Sequence, residues 1–148
     1  MQRCGYVTLA GRPNVGKSSL LNRLVGQKLA ITSHKPQTTR HRILGIKTSD
    51  AGQILFVDTP GLHQRGSQAM NRYLNRTAES AMQEVELVVL VCEAGRWTDE
   101  DAEVLARLSR QQVPVLAAVN KIDRVRPRER LLPYLAALGE RADFSAVV

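Results

Sequence analysis

The run Gly11-Arg12-Pro13-Asn14-Val15-Gly16-Lys17-Ser18 lies between an apolar stretch, Tyr6–Ala10, and a stretch with helical character, Ser19–Val25. A G-x-x-x-x-G-K-S sequence between a strand and a helix is the pattern of a phosphate-binding loop. Its glycines let successive backbone N–H groups point at phosphate oxygens, and the N-terminus of the helix adds partial positive charge. The run therefore predicts a strand, a phosphate-binding loop and a helix in direct succession.

Two side chains of this loop carry the predicted chemistry. Lys17 is expected to reach the β- and γ-phosphates of a nucleotide, and the Ser18 hydroxyl is expected to bind Mg²⁺. The alternative, a glycine-containing turn before a helix, is disfavoured by the strand–loop–helix context. We assign the whole segment to phosphate binding: Gly11, Arg12, Pro13, Asn14, Val15, Gly16, Lys17, Ser18 and Ser19.

A second motif, Asp58-Thr59-Pro60-Gly61, follows the strand-like run Gln53–Val57. An acidic residue at the end of a strand beside the phosphate loop can hold Mg²⁺ through a water molecule, which we predict for Asp58. The Gly61 N–H can contact a γ-phosphate, because glycine allows the backbone to approach closely. Thr59 and Pro60 are assigned to the same nucleotide site. Alone, D-x-x-G mostly marks a turn.

A third motif, Asn120-Lys121-Ile122-Asp123, follows the strand-like run Val113–Val119. The Asp123 carboxylate can accept hydrogen bonds from the ring N–H and the exocyclic amine of guanine, whereas adenine presents the wrong donor pattern. The Lys121 stem can lie over the purine face, and Asn120 can brace the loop. Each motif follows an apolar run, at the carboxyl ends of strands where open α/β sheets bind ligands. Together the three motifs predict a guanine-nucleotide site.

Over essentially all of its 148 residues, the chain resembles the G domain of the Era family of GTPases. The three motifs alone indicate a GTPase of this class. The resemblance also covers Lys35–Arg42 and Gly95–Thr98, in which the stretches Gln37–Arg42 and Arg96-Trp97-Thr98 are specific to Era. Der, a related tandem-domain GTPase of ribosome assembly, is the alternative, but its equivalent switch segment usually lacks the doubled threonine and the following His-Arg.

The resemblance implies a switch that binds GTP or GDP with Mg²⁺ and hydrolyses GTP slowly. GTP would order the segments Ile31–His41 and Leu62–Gln68, and hydrolysis would release them. Thr39 is the better candidate for a second protein ligand of Mg²⁺, with Thr38 as the fallback. The residues assigned to catalysis are Lys17, Thr39, Gly61 and Asn14, and those assigned to the metal are Ser18, Thr39 and Asp58.

Leu62 stands where many small GTPases carry a glutamine that orients the attacking water. Leucine neither donates nor accepts a hydrogen bond, so it cannot orient this water. A second cation could instead supply positive charge between the β- and γ-phosphates. Potassium-stimulated relatives of this class carry asparagine at the position of Asn14, which makes Asn14 the candidate K⁺ ligand. The alternative is that Asn14 only tolerates the backbone geometry of the loop.

The same resemblance implies a role in maturation of the small ribosomal subunit, with that subunit and its rRNA as partners. Peripheral association with the inner membrane is also implied, and we expect a cytoplasmic monomer that does not bind DNA. A competing hypothesis is a nucleotide-dependent RNA- or ribosome-binding module with negligible hydrolysis. The family continues into a Ser-Ala loop that contacts guanine and a KH domain that binds RNA. We expect residues 1–148 to end before both, with Ser145-Ala146 lying in a last strand.

Composition agrees with one α/β domain, since 148 residues of which 43% are hydrophobic can bury a core. The net charge is +7, and the basic cluster Arg124–Arg130 is interpreted as solvated surface. Cys4 and Cys92 lie in apolar runs and are predicted to be reduced core residues, which fits a cytosolic setting. Trp97 is predicted to pack its ring against the helix that follows it. No 18-residue apolar stretch or signal-peptide pattern is present.

Alternating strands and helices predict a mostly parallel six-stranded sheet, with helices on both faces and one antiparallel edge strand. The predicted strands are Cys4–Ala10, Arg42–Thr48, Gln53–Val57, Leu87–Cys92, Val113–Val119 and Phe144–Val148. The predicted helices are Lys17–Val25, Gln68–Glu84, a helix capped by Thr98 and running to Arg110, and Arg128–Leu138 closed by Gly139.

Overall fold

The computed structural model describes residues 3–26, 42–58 and 85–148. In these residues six strands form one sheet in the order β2-β3-β1-β4-β5-β6. Their bounds are Arg3–Ala10 (β1), Arg42–Ser49 (β2), Gly52–Asp58 (β3), Leu87–Glu93 (β4), Val115–Asn120 (β5) and Ala146–Val147 (β6). β2 and β3 pair antiparallel, while the β1–β3, β1–β4, β4–β5 and β5–β6 pairs are parallel. The predicted parallel sheet with one antiparallel edge strand is confirmed.

Three α-helices lie in the described part of the chain: Lys17–Val25 (α1), Asp99–Ser109 (α2) and Leu131–Arg141 (α3). α1 ends at Gly26, whose φ of 73° is the left-handed conformation that closes many helices. Thr98 caps α2 as predicted, and with Asp101 it forms a reciprocal capping box. None of the helices in the described residues is long and apolar enough to span a membrane.

Several predicted boundaries differ from the structure. β5 begins at Val115 because Pro114 has no N–H to donate to the sheet. The helix predicted to start at Arg128 begins with a 3-10 turn, and α3 then continues past Gly139 to Arg141. Glycine disfavours a helix interior by only about 1 kcal/mol, and the adjacent Leu138 is buried in the core. The predicted helix Gln68–Glu84 lies outside the described residues.

The central strand β4 is buried along most of its length, as expected for a parallel strand covered on both faces. Its residues Leu90, Val91 and Cys92 are fully inaccessible to solvent. Cys92 is therefore a reduced core residue as predicted, and burial raises the pKa of its thiol to about 12. The predicted core position of Cys4 is wrong, because Cys4 lies near the exposed start of β1, but its thiol is free as predicted.

Helices α2 and α3 close the core beside β4. Leu108 of α2 and Leu138 of α3 are each 1% exposed and belong to the same hydrophobic cluster. The Trp97 ring packs against this cluster. The Arg141 guanidinium lies 4.3 Å from the centroid of that ring, a cation–π contact from α3 that the sequence did not indicate.

Replacing Leu108 with alanine is expected to lower the free energy of unfolding by about 2–5 kcal/mol, because it opens a cavity in the core. Leu132 of α3 is 70% exposed and offers a matched control. Leu132→Ala is expected to stay within about 0.5 kcal/mol of the parent chain. Urea denaturation followed by circular dichroism measures both variants, and equal losses would contradict the described packing of α2.

Candidate functional site

The three sequence motifs meet at one edge of the sheet. The phosphate loop, residues 11–16, follows β1, while Asp58 ends β3 and Asn120 ends β5. β1 pairs in parallel with β3, and β4 joins β1 to β5 through two further parallel pairings. Because parallel strands end at the same edge, the topology brings all three motifs to one side of the molecule.

Two glycines of the phosphate loop adopt backbone conformations that a side chain would not fit. Gly11 has a φ of 151°, and a Cβ there would lie 2.6 Å from the Val91 carbonyl oxygen. Gly16 has a φ of 103°, and its Cβ would lie 2.2 Å from Asn120 Nδ2. Both distances are far inside van der Waals contact. The first and last glycines of the motif are therefore required by space as well as by backbone angle.

Lys17 turns back over the loop. Its ammonium donates hydrogen bonds to the Gly11 carbonyl and, at 3.2 Å, to the Arg12 carbonyl. Burial lowers the Lys17 pKa to about 8, against the opposing influence of the Asp58 carboxylate. The ammonium thus lies inside the loop and within electrostatic reach of Asp58, as the predicted phosphate-binding role requires.

Two of the described residues carry oxygen atoms of the kind that bind Mg²⁺. Ser18 is exposed in the first turn of α1, and Asp58 is partly buried at the end of β3. Hydroxyl and carboxylate oxygens are ligands that Mg²⁺ takes, usually together with phosphate oxygens and water. The first turn of α1 contains no acidic residue, and its N-terminus has no side-chain cap, so it is suited to an anion. The predicted residues Thr38, Thr39, Thr59, Pro60 and Gly61 lie outside the described residues.

The N-K-x-D segment contacts the phosphate loop directly. Asn120 Nδ2 donates to the Val15 carbonyl at 2.9 Å, so the predicted bracing role of Asn120 is confirmed. Lys121 adopts the left-handed conformation and donates to the Asn14 carbonyl at 2.6 Å. Asp123 lies in the 3-10 turn that follows, where its side chain is exposed. The Asp123 carboxylate is therefore accessible to a ligand above the braced loop.

Arg12 has a structural role that the sequence analysis missed. Its guanidinium points into the protein, where Nη2 lies 2.7 Å from a Glu93 carboxylate oxygen and Nε lies 3.0 Å from Asp101 Oδ2. The hydrogen bond from Arg12 lowers the Glu93 pKa. These partners are 81 and 89 residues away along the chain, so no local pattern connects them to the phosphate loop. Arg12 thus contributes its carbonyl to the loop and its side chain to the interior.

Comparison with known proteins places these motifs in a protein family. The chain matches the model of a family described as 50S ribosome-binding GTPase over residues 6–121. It is 56% identical to GTPase Era of Pseudomonas aeruginosa over 146 residues, which cover 99% of this chain and 48% of that protein. The chain spans about half the length of the curated relatives it matches.

Two solved structures show the same fold over nearly the whole chain. Era in complex with MgGDPNP and nucleotides 1506–1542 of 16S ribosomal RNA has a TM-score of 0.78 and 32% identity, covering 100% of this chain and 51% of that one. A variant of Aquifex aeolicus Era bound to GDP.AlF4− has a TM-score of 0.77 and 32% identity, covering 99% of this chain and 50% of that one. These findings agree with the resemblance inferred from the motifs.

The depressed pKa of Lys17, about 8, predicts that nucleotide binding takes up protons. If Lys17 contacts phosphate as predicted, the phosphate oxygens stabilise the charged ammonium, and the Lys17 pKa in the complex should lie above that of the free chain. GDP affinity should therefore fall by up to about tenfold per pH unit as the pH rises above about 8. Below about pH 7, the contribution of Lys17 to GDP affinity should not change with pH.

Titration calorimetry at pH 8.5 in two buffers of different ionisation enthalpy measures this proton uptake. Lys17→Arg is the control, because arginine stays charged in the free and bound states alike. The remaining GDP binding by Lys17→Arg should proceed without the proton uptake that comes from Lys17. Equal uptake by the two proteins would contradict the assignment to Lys17.

Proposed function

Because the chain belongs to the family of 50S ribosome-binding GTPases, we propose that it binds GTP and GDP with Mg²⁺ and hydrolyses GTP as a molecular switch. The observation that carries this proposal is the 2.9 Å hydrogen bond from Asn120 Nδ2 to the Val15 carbonyl. It joins the N-K-x-D loop to the phosphate loop at one edge of the sheet. A ligand that fills both parts of this proposed site needs a purine at the N-K-x-D loop and a phosphate chain at the phosphate loop. A nucleotide has both.

At the phosphate end, backbone N–H groups of the loop and of the first turn of α1 bind the phosphate oxygens. Lys17 exchanges its contacts with the Gly11 and Arg12 carbonyls for contacts with the β- and γ-phosphates. The half-buried position of the ammonium strengthens its interaction with phosphate charge, because less water screens the pair. Lys17 therefore contributes both to nucleotide affinity and to stabilisation of the charge that develops during phosphoryl transfer.

Mg²⁺ would be held by the Ser18 hydroxyl and, through water, by the Asp58 carboxylate. When bound, the ion supplies positive charge to the β- and γ-phosphate oxygens. Thr39, with Thr38 as the alternative, is proposed as the further ligand from the switch segment. Asp58, which interacts electrostatically with Lys17, provides a negative charge that offsets part of the positive charge of the two cations.

At the base end, Asp123 is proposed to accept hydrogen bonds from guanine, and the Lys121 stem to cover the purine face. The Lys121 ammonium already donates to the Asn14 carbonyl, so its stem is held near the phosphate loop. Asn120 fixes the start of the same turn through its contact with Val15. The exposed carboxylate of Asp123 therefore projects from a backbone that is fixed before the nucleotide arrives, which limits the entropic cost of binding.

For the longer protein of which this chain would be part, we propose a role with the small ribosomal subunit in maturation of 16S rRNA. The support is the 16S rRNA fragment in one of the solved Era structures. Several further points stay predictions from the resemblance. They are contact with rRNA mainly through a KH domain beyond this chain, a monomeric state, a cytoplasmic location and peripheral contact with the inner membrane. Phosphate release, measured with and without small ribosomal subunits, distinguishes the GTPase from a binding module with negligible hydrolysis.

Asp123→Asn should weaken GDP binding by about 10- to 100-fold, because charge-assisted hydrogen bonds to guanine are lost. The same variant should gain affinity for xanthosine diphosphate, whose exocyclic oxygen can accept from an amide. Displacement of a fluorescent GDP analogue measures both changes. Asp143→Asn, at an exposed position outside the motifs, is the matched control and should bind GDP like the parent chain. Equal affinity of the parent chain for ATP and GTP would contradict the guanine assignment.

The proposed K⁺ site at Asn14 can be tested without straining the loop. Asn14 has a φ of 66°, a conformation that glycine adopts freely and alanine does not. Asn14→Gly therefore removes the side-chain oxygen and keeps the backbone geometry. If Asn14 binds K⁺, GTP hydrolysis by the parent chain should be faster in KCl than in NaCl, and the variant should lose that difference while still binding GDP. A variant that kept the potassium response would favour the alternative, in which Asn14 serves only the backbone.

A further inference from the structure

We propose that Arg12, Glu93 and Asp101, here called the Arg12 clamp, position the phosphate loop and thereby set the lifetime of the bound nucleotide. The inference rests on the proposed function, gives the Arg12 side chain a positioning role, and adds two positioning residues, Glu93 and Asp101, that lie outside the three nucleotide motifs. Glu93 ends β4 and Asp101 lies in the first turn of α2. The clamp thus connects the loop after β1 with two neighbouring elements of the fold.

The clamp is almost entirely shielded from solvent. The side chains of Arg12, Glu93 and Asp101 are 10%, 14% and 0% exposed. Burial by itself would lower the Arg12 pKa, but the hydrogen bonds that the guanidinium donates to Glu93 and Asp101 raise it above its usual value. The guanidinium therefore stays charged and uses two different nitrogens, Nη2 for Glu93 and Nε for Asp101. Such a forked contact fixes the orientation of the side chain as well as its position.

Each carboxylate of the clamp is itself held in place. Asp101 Oδ2 also accepts from the Thr98 N–H at 2.8 Å and from the Thr98 hydroxyl at 3.0 Å. Glu93 is opposite Asn120 in the β4–β5 pairing, and its second carboxylate oxygen lies 4.0 Å from Arg124 Nη1. The anchors of the clamp are thus a capped helix end and the end of a central strand. Both elements contribute residues to the hydrophobic core, Leu90 from β4 and Leu108 from α2.

The backbone carbonyl of Arg12 contacts Lys17, the lysine proposed to bind phosphate. Lys17 Nζ donates to the Arg12 carbonyl at 3.2 Å, so the residue whose side chain is clamped also carries an oxygen that positions the ammonium. Gly11 and Val15, on either side of Arg12 in the sequence, are both buried. Loss of the clamp should therefore change the geometry around Lys17 without removing a group that touches the nucleotide.

Glu93→Gln is the principal test, because it keeps the size of the side chain and leaves the buried Arg12–Asp101 pair intact. The variant should release a fluorescent GDP analogue about tenfold faster than the parent chain, the effect of weakening one charge-assisted hydrogen bond. Arg12→Lys keeps the positive charge but cannot bond to both carboxylates in the same geometry. It should release GDP at least as fast as Glu93→Gln does. Thermal unfolding of the nucleotide-free proteins reports separately on stability, so Glu93→Gln decides the test if Arg12→Lys does not fold.

The pair Arg107–Glu103 on α2, 3.1 Å apart and more exposed than the clamp, supplies matched controls. Glu103→Gln and Arg107→Lys make the same chemical changes away from the loop, and should release GDP like the parent chain. Guanosine, which lacks phosphates, gives a second readout: competition experiments should show a smaller loss of affinity for guanosine than for GDP in Glu93→Gln. A general loosening of the fold would weaken both ligands equally.

The outcomes separate the clamp from the proposed function. Parent-like GDP release by Glu93→Gln, or equal losses for guanosine and GDP, would overturn the clamp while leaving the GTPase assignment intact. Failure of the parent chain to bind GDP would overturn both. Faster release confined to the two clamp variants, together with a smaller loss of affinity for guanosine than for GDP in Glu93→Gln, is the result we expect.

Discussion

The parallel arrangement of β1 and β5 on either side of β4 is the constraint on which the site depends. It places the phosphate loop and the N-K-x-D turn at the same edge of the sheet, close enough for Asn120 to bond to the Val15 carbonyl. The same packing leaves no space for a side chain at Gly11 or Gly16. Loop conformation, loop spacing and the two required glycines therefore follow from one arrangement of buried strands.

Charge is distributed differently on the two sides of the phosphate loop. On the ligand side, Lys17 lies beside backbone carbonyls and within reach of Asp58, and burial lowers its pKa. On the interior side, the Arg12 guanidinium is neutralised by the carboxylates of Glu93 and Asp101. Since a buried charge without a partner is costly, the interaction of Arg12 with the two carboxylates holds the interior side of the loop. The loop thus carries one cation with a structural role, Arg12, and one that is proposed to bind phosphate, Lys17.

Local patterns explain why the sequence predicted so much of this protein. A P-loop needs glycines at fixed positions between a strand and a helix, and alternating strands and helices favour a parallel sheet, so Gly11, Gly16 and the sheet type could be inferred from a few neighbouring residues. Boundaries were less certain, because Gly139 reads locally as a helix end. Burial of Leu138 outweighs the small cost of glycine, and α3 continues to Arg141.

The sequence by itself determined the class of the fold, the three motifs and their order, because each motif is complete within four to eight adjacent residues. Only the tertiary structure decided the partners of Arg12, the bond from Lys121 to the Asn14 carbonyl and the exposure of Cys4. These features depend on how β1, β4, α2 and the turn after β5 are placed relative to one another. Complementary charges on distant elements leave no periodicity or spacing in the sequence, so their pairing becomes visible only when the chain is folded.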